Sequence, residues 1–338
     1  MPNTPSPMSA GGSTAVDDAP RSMARAFSAG GLGRLLIRWS NIWALALLFG
    51  ISAAISPYFL SVTNIFNVIR GASMVGIVSI GMTFVILNRG IDLSVGSILG
   101  LSAALAAGMA SHGSAFVLIL ALLVGSLLGL INGLIITRLQ LQPFIATLGM
   151  LIFARGVVYI YTSGSIIVVQ NPPESFTYLG SGRIGPVPVP IILFVLVWAI
   201  AAYVLSRTVY GREVYAVGAN EEGARLSGIN VMRNKVLVYG ISGFLASLAG
   251  VVLLSRLTAA EPNAGTLFEL DAIAATLIGG TAFEGGIGGV HGTIAGVLIL
   301  AFLGNILNLT NVSPYTQMLL KGVIIVLAVV VSELKNRR

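Results

Sequence analysis

Ten apolar runs, each near the length that crosses a lipid bilayer, occupy most of this chain. They fall at 41–60, 64–87, 94–111, 115–137, 143–161, 188–206, 235–257, 270–282, 291–309 and 314–332. A spanning helix needs about 20 mostly apolar residues. Lipid leaves a backbone no partner but itself, so open sheets and lipid-facing loops are excluded from the hydrocarbon. The pattern predicts an all-α polytopic membrane protein of about ten transmembrane helices. The eighth run is short, and a tilted or re-entrant segment is expected there. Composition agrees: 56% of residues are hydrophobic and only 9% charged, against about 25% charged in a soluble domain.

The net charge of +7 reads as membrane orientation rather than nucleic-acid binding. With the N-terminus placed inside, ten spans return the C-terminus inside, and 14 of the 19 Lys and Arg residues fall on the inner side. That bias is the positive-inside signature, so N-in and C-in are expected. Residues 1–38 read as a disordered cytosolic tail, rich in Pro, Ser, Gly and Ala. The first span lacks a small-residue cleavage site close behind it and reads as an uncleaved anchor. Residues 39–333 form the membrane domain, and 334–338 a basic cytosolic end. With no Cys in the chain, disulfides and thiolate metal sites are excluded.

Small residues recur at every fourth position: Gly96 and Gly100; Gly125, Gly129 and Gly133; Gly292 and Gly296. This spacing lets backbones approach closely in lipid. Between the second and third runs lies a short polar turn, Asn88–Ser94. There Arg89 follows one helix and Asp92 precedes the next, each complementing a helix dipole. Gly90 lies between them and Gly96 follows, and Asp92 or Ser94 is suited to cap the following helix. Capping accounts for this chemistry; a partner contact or a moving gate is the alternative. A second glycine turn, Gly279–Gly292, is expected on the same face.

The loop 206–234 is the one sizeable cytosolic loop. Within it, Asn220 is a good N-cap, with Glu221 and Glu222 in the first turn and Arg225 near the last. Gly228 is placed to end the helix in the left-handed conformation, with Ile229 folding back. So short a helix is marginal alone and needs something to pack against.

Charges at membrane depth cost roughly 2.5–3.5 kcal/mol each on insertion scales and mark functional or pairing sites. Arg70, Arg155, Asp271 and Lys321 are such residues, with Glu269 beside Asp271 as a further pairing candidate. Asn67 and Asn132 are weaker candidates. Buried ion pairs and a polar translocation path are both open readings. There is no GxxxxGK[ST] phosphate loop. There is no HExxH motif either, and His112 and His291 lie near opposite faces, so no metal site is expected.

Four stretches together resemble a known family. They are GMTFVILNRGIDLSVGSILGLSAALAA from Gly81, FIATLGMLIFARGVVYIYTSGS from Phe144, VGANEEGARLSGINV from Val217, and LDAIAATLIGGTAFEGGIGG from Leu270 with the later SPYTQMLLKGVIIVLAVVV. In that order they resemble the ribose/xylose-type permeases of bacterial ABC importers, over about residues 40–333. The resemblance implies a vitamin-B12-permease-like architecture in the bacterial inner membrane and no enzymatic activity in this chain. It implies a monosaccharide, pentose or hexose, as cargo. The expected partners are a cytosolic ABC ATPase that holds the ATP and Mg, a periplasmic sugar-binding protein, and a second permease subunit, expected to be a second copy. No cofactor is expected on this chain. Gly218, Asn220, Glu221, Ala224, Arg225 and Gly228 match the family's ATPase-coupling region. Arg89 and Glu284 depart from it, since small residues are usual at both. A polyol, a nucleoside or a branched-chain amino acid remains open as cargo. An autonomous secondary carrier is a further alternative, disfavoured by the sparse intramembrane carboxylates.

Overall fold

The computed structural model describes residues 40–336; the expected N-terminal tail lies outside them. Helices α1 (Ser40–Ile55), α2 (Val62–Leu87), α3 (Val95–Gly108), α4 (Ser114–Arg138) and α5 (Pro143–Thr162) come first. After them follow α6 (Glu174–Ser181), α7 (Val189–Arg207), α8 (Val209–Ala219) and α9 (Glu221–Leu226). The chain then forms α10 (Val231–Leu257), α11 (Phe268–Ile278), α12 (Val290–Leu309) and α13 (Pro314–Asn336). Six of these are long and apolar enough to cross a membrane: α2, α4, α5, α7, α10 and α12. Shorter apolar helices are Asn41–Ile55 and Val95–Gly108. The protein is a mostly helical, polytopic membrane protein.

Helix starts follow local chemistry. Pro143 and Pro314 stand at the first position of α5 and α13, where a missing N–H is harmless and the fixed φ already fits a helix. Ser61 accepts from the Asn64 N–H at the head of α2, and Asn230 from the Arg233 N–H at the head of α10.

α2 and α10 form the centre: 78% and 67% of their most apolar stretches are buried, against 28% for α4 and α5. The core at this centre holds Ile77, Ile80, Met82 and Ile86 of α2, with Ile98 and Leu99 of α3. The fourfold glycine spacing has distinct uses. On α4, a Cβ at Gly125, Gly129 or Gly133 would overlap the backbone or a side chain of α10, so this stripe sets the α4–α10 approach. On α12, Gly292 and Gly296 rest against the backbone of Gly279 and Ala275. On α3, Gly96 and Gly100 rest against the Ala264–Gly265 backbone, with the Glu269 and Arg155 side chains beside them.

That last contact explains the short eighth run. After α10 the chain turns at Thr258 (φ 53) and forms strand β4 (Ala259–Ala260). β4 pairs antiparallel with β1 (Ile167–Val168), Ile167 opposite Ala260. The next residues run irregularly to Leu267, and α11 begins only there, with 11 residues. Irregular backbone inside an apolar bundle is tolerated only where its carbonyls find donors. Arg155 supplies them: its Nη1 donates to the Pro262 and Ala264 carbonyls at 2.7 and 2.9 Å. Tyr159 adds a hydroxyl donor to Asn263. Arg155 thus caps the carbonyls of this segment, and it also interacts electrostatically with Glu269 of α11.

Two further elements have no counterpart in the sequence reading. Strands β2 (Arg183–Ile184) and β3 (Val187–Pro188) make a small hairpin. The amphipathic α6 docks on the end of α10, where the Ser255 Oγ accepts from the Gly180 N–H at 2.7 Å and donates to the Phe176 carbonyl.

Candidate functional site

Three segments distant in sequence meet at one end of the bundle. These are the 88–94 turn, the α8–α9 junction and the glycine loop 279–289. Helix α2 ends in a Schellman arrangement: the Gly90 N–H reaches the Val85 carbonyl at 2.9 Å and the Arg89 N–H the Ile86 carbonyl at 3.0 Å. Arg89 occupies the left-handed position (φ 60) that usually belongs to glycine. Its guanidinium bridges the other two segments, with Nε donating to the Glu284 carbonyl at 2.7 Å and Nη2 to the Ala219 carbonyl at 3.0 Å. The Leu87 carbonyl accepts from the Gly286 N–H at 2.9 Å. Gly218 presses so closely on the same carbonyl that any Cβ there would overlap it. Arg89 does follow α2 as expected, but it works as a bridge between segments.

Asp92 lies deeper than a cap at a water surface, with no exposure at all. Its Oδ1 accepts from the Ser94 N–H at 3.0 Å and the Ser94 hydroxyl, and its Oδ2 from the Ser242 hydroxyl of α10 at 2.8 Å. Burial raises the Asp92 pKa, and the Ser94 and Ser242 donors pull it back down. Asp92 thus serves the first N–H beside α3, as expected of a cap, and also ties the turn to α10. Ser94 holds the cap position of α3 without a side-chain cap bond; its Oγ accepts from Asn132 of α4 at 2.9 Å. Gly90 lies beneath the Tyr239 hydroxyl with no room for a Cβ. Asn234, Tyr239 and Ser242 went unmarked in the sequence. Their spacing marks no single face of α10, and Asn234 is recognised only by the amide bond it accepts from Asn88 at 2.7 Å.

α9 carries the local chemistry expected of it. Asn220 Oδ1 accepts from the Gly223 N–H at 2.9 Å. The helix closes at Gly228 (φ 83), with the Ile229 N–H bonded to the Ala224 carbonyl at 3.0 Å and the Gly228 N–H to Arg225 at 3.0 Å. Ala224 is buried and packs with Val217 and Val231. Outward, Arg225 is 61% and Leu226 81% exposed. Glu221 pairs with Lys235 of α10 at 2.6 Å, a partner not foreseen. Beside α9 opens a cleft of ≈ 610 Å³, between the α4–α5 loop and the α9–α10 turn, with Arg89, Arg225 and Lys235 on its wall.

The intramembrane candidates separate into three places. Asn132 belongs to the Asp92 cluster and Arg155 to the irregular segment before α11. Arg70 donates to Asn67 at 3.0 Å within α2, while Lys321 of α13 pairs with Asp271 of α11 at 2.9 Å. Asn67, Asp271 and Lys321 share one cavity. Among the described residues no cluster of His, Cys, Asp or Glu is placed to hold a metal ion.

A family model described as the permease component of the branched-chain amino acid transport system matches residues 64–329. The chain belongs to this permease family. The permease is 46% identical to the ribose import permease protein of Haemophilus influenzae, over 302 residues that cover 88% of this chain and 94% of the relative. It is 45% identical to the ribose import permease protein of Escherichia coli, with 89% and 95% covered. The L-arabinose transport system permease protein of Escherichia coli is 34% identical, over 96% of this chain and 97% of its own. No solved structure matches the permease. The matched region takes in the whole three-segment junction, α9 and the α2–α11–α12–α13 cavity.

Proposed function

We propose that this chain is the transmembrane permease subunit of an ATP-driven ABC importer and forms the path for a monosaccharide, a pentose or a hexose. The observation that carries this reading is the run of sugar permeases 34–46% identical to the chain along nearly their full lengths. The family description names branched-chain amino acids, which keeps that cargo as the second reading. Sugar is preferred because whole-length identity is a tighter constraint than a family-wide label.

In this reading the protein is a multi-pass inner-membrane subunit. Ten helices cross it: α1 to α5, α7 and α10 to α13, with both chain ends inside and an architecture like that of vitamin B12 permeases. Residues 39–333 are the membrane domain, and the junction end faces the cytosol. A second permease copy completes the pore, and a periplasmic binding protein delivers the sugar. A cytosolic ATPase, holding ATP and Mg, docks on α9; the permease itself binds no cofactor and catalyses no reaction. The α9 geometry supports that docking. Its inner face is anchored by Ala224 and the Glu221–Lys235 pair, while Arg225 and Leu226 are offered outward. Through Gly218 and Arg89, a push on α9 reaches the 88–94 turn and the 279–289 loop directly.

The test uses the permease reconstituted in proteoliposomes with its ATPase and binding protein. ATP-dependent uptake of labelled ribose, arabinose or galactose is expected. Asn220→Ala and Arg225→Ala should leave ATP hydrolysis running while uptake falls at least tenfold. Normal uptake per ATP in both variants would sink the docking assignment, and leucine uptake without sugar uptake would favour the second reading.

A further inference from the structure

At the end of the bundle opposite the junction lies a cavity of ≈ 400 Å³ between α2, α11, α12 and α13. Its wall is unusually polar for a membrane helix bundle, carrying Asn67, Asn305, Asn308, Gln317, Asp271 and Lys321. Most of them sit in the end turns of their helices, and polar side chains in a membrane bundle concentrate where they line water or a path. Here they come from four separate helices and converge on one space.

The chemistry of the wall narrows what fits. Lys321 Nζ and Asp271 Oδ2, 2.9 Å apart, neutralise each other, so the cavity offers no net charge to an ion. The amides hold one another in place. Asn64 and Asn305 exchange bonds at 3.0 and 2.9 Å, and Gln317 donates to Asn308 at 2.8 Å. A primary amide has two donors and two acceptor lone pairs, so one or two such bonds orient it and leave capacity over. Each hydroxyl of a polyol is both donor and acceptor and suits that mixed surface. Val75 and Leu300 supply an apolar side for C–H faces. The volume lies in the range of about 300–1,000 Å³ common for small-molecule sites. Gly71 and Gly304 keep the space open, since a Cβ at either would meet nothing within 4 Å.

We propose that this cavity is a weak binding site for a neutral polyhydroxy compound, a monosaccharide on its way through the permease. The inference rests on the reading of the chain as a sugar permease and adds the place where the sugar dwells. A carrier step needs a site strong enough to select and weak enough to release. A few amides and one self-neutralised ion pair meet both conditions.

The chain has no native Cys, so single thiols report without background. Gly71→Cys and Gly304→Cys are made separately in the full permease, assembled with its ATPase in nanodiscs. The rate of reaction with a small polar maleimide is measured with ribose, arabinose, galactose or leucine at up to about 100 mM. At least one sugar should slow labelling severalfold at both positions, and Gln317→Leu in the same background should weaken that protection. Labelling unaffected by all three sugars overturns the inference. So does a thiol that never reacts, because the cavity is then closed to water, and so does protection by leucine alone. Uptake by the unmodified transporter separates the two readings. Sugar uptake without protection removes only the cavity site, whereas absence of any sugar uptake removes the functional reading itself.

Discussion

At Gly218 a Cβ would overlap the Leu87 carbonyl oxygen, whereas at Gly71 and Gly304 it would meet nothing within 4 Å. The first glycine belongs to the α8–α9 junction, the other two to the cavity at the opposite end. The same residue type therefore does two unlike things. At the junction it lets backbones touch, which packs three segments tightly together. At the cavity it withholds a side chain, which keeps a polar space open. One end is packed backbone on backbone, and the other leaves space beside its glycines.

The largest effect should come from filling the tight end. Gly218→Ala places a methyl against backbone that cannot yield cheaply; overpacking costs typically about 1–3 kcal/mol and sometimes more. A sharp loss of monodisperse permease in detergent size-exclusion profiles is expected. Gly304→Ala should do the reverse, since Ala is favoured over Gly inside a helix by up to about 1 kcal/mol. Its melting temperature should stay level or rise. Similar losses in both variants would erase the distinction between the two ends.

Next comes the buried carboxylate that ties the 88–94 turn to α10. Asp92→Ala leaves the Ser94 N–H and the Ser94 and Ser242 hydroxyls without their acceptor, and an unsatisfied buried polar group costs about 1–3 kcal/mol. Asp92→Asn keeps an acceptor for Ser94 and should lose less. Thermal unfolding followed by intrinsic fluorescence should rank wild type above Asn and Asn above Ala. An unchanged Ala variant would mean that the turn is held by packing alone.

Much of this was legible in the sequence because lipid leaves a chain few choices. The apolar runs match the observed helices to within a few residues, apart from the early end of α1, the shortened α11 and the earlier start of α10. The α9 caps were readable because Asn220 and Gly228 act through local backbone geometry. The role of Arg89 was not readable. A lone Arg after a helix looks like a dipole partner, and only the fold brings the Glu284 and Ala219 carbonyls within its reach. Arg155 was half legible: an intramembrane cation suggests an anion, and Glu269 does interact with it, but its hydrogen-bond partners are backbone carbonyls, which carry no sequence signature. Asp271 and Glu269 were legible as possible partners for Arg70, Arg155 and Lys321, but which of these pairs forms needed α11 and α13 to be laid side by side, where Lys321 meets Asp271.

A smaller effect tests what the Arg89 side chain contributes beyond its strained backbone. A non-glycine residue at φ 60 costs roughly 1–2 kcal/mol. Arg89→Gly removes that cost along with the guanidinium bonds, while Arg89→Ala keeps the cost and loses the bonds. Stability should fall in the order wild type, Gly, Ala. Equal melting temperatures for the Gly and Ala variants would show that the left-handed backbone carries no strain here. The bridge itself is better read in function: both variants should raise the ATP consumed per sugar moved, because the guanidinium link between the α8–α9 junction and the 279–289 loop would be lost.

The smallest expected effect lies at the Glu221–Lys235 pair, and it separates anchoring from docking on α9. Lys235 is largely buried and Glu221 more than a third exposed, so solvent screens the pair and its worth is about 0.2–1 kcal/mol. A double-mutant cycle with Glu221→Gln and Lys235→Met should return a coupling in that range, shrinking as salt is raised, since screened surface charges weaken within a Debye length of roughly 10 Å at 0.1 M. Arg225 also reaches Glu221, at 3.7 Å, and Glu222, at 3.2 Å, but it is exposed and should show no measurable stability coupling. If Arg225 instead stabilised the isolated permease more than Lys235 does, its side chain would be serving the fold. The outward face of α9 would then have less left to offer a partner.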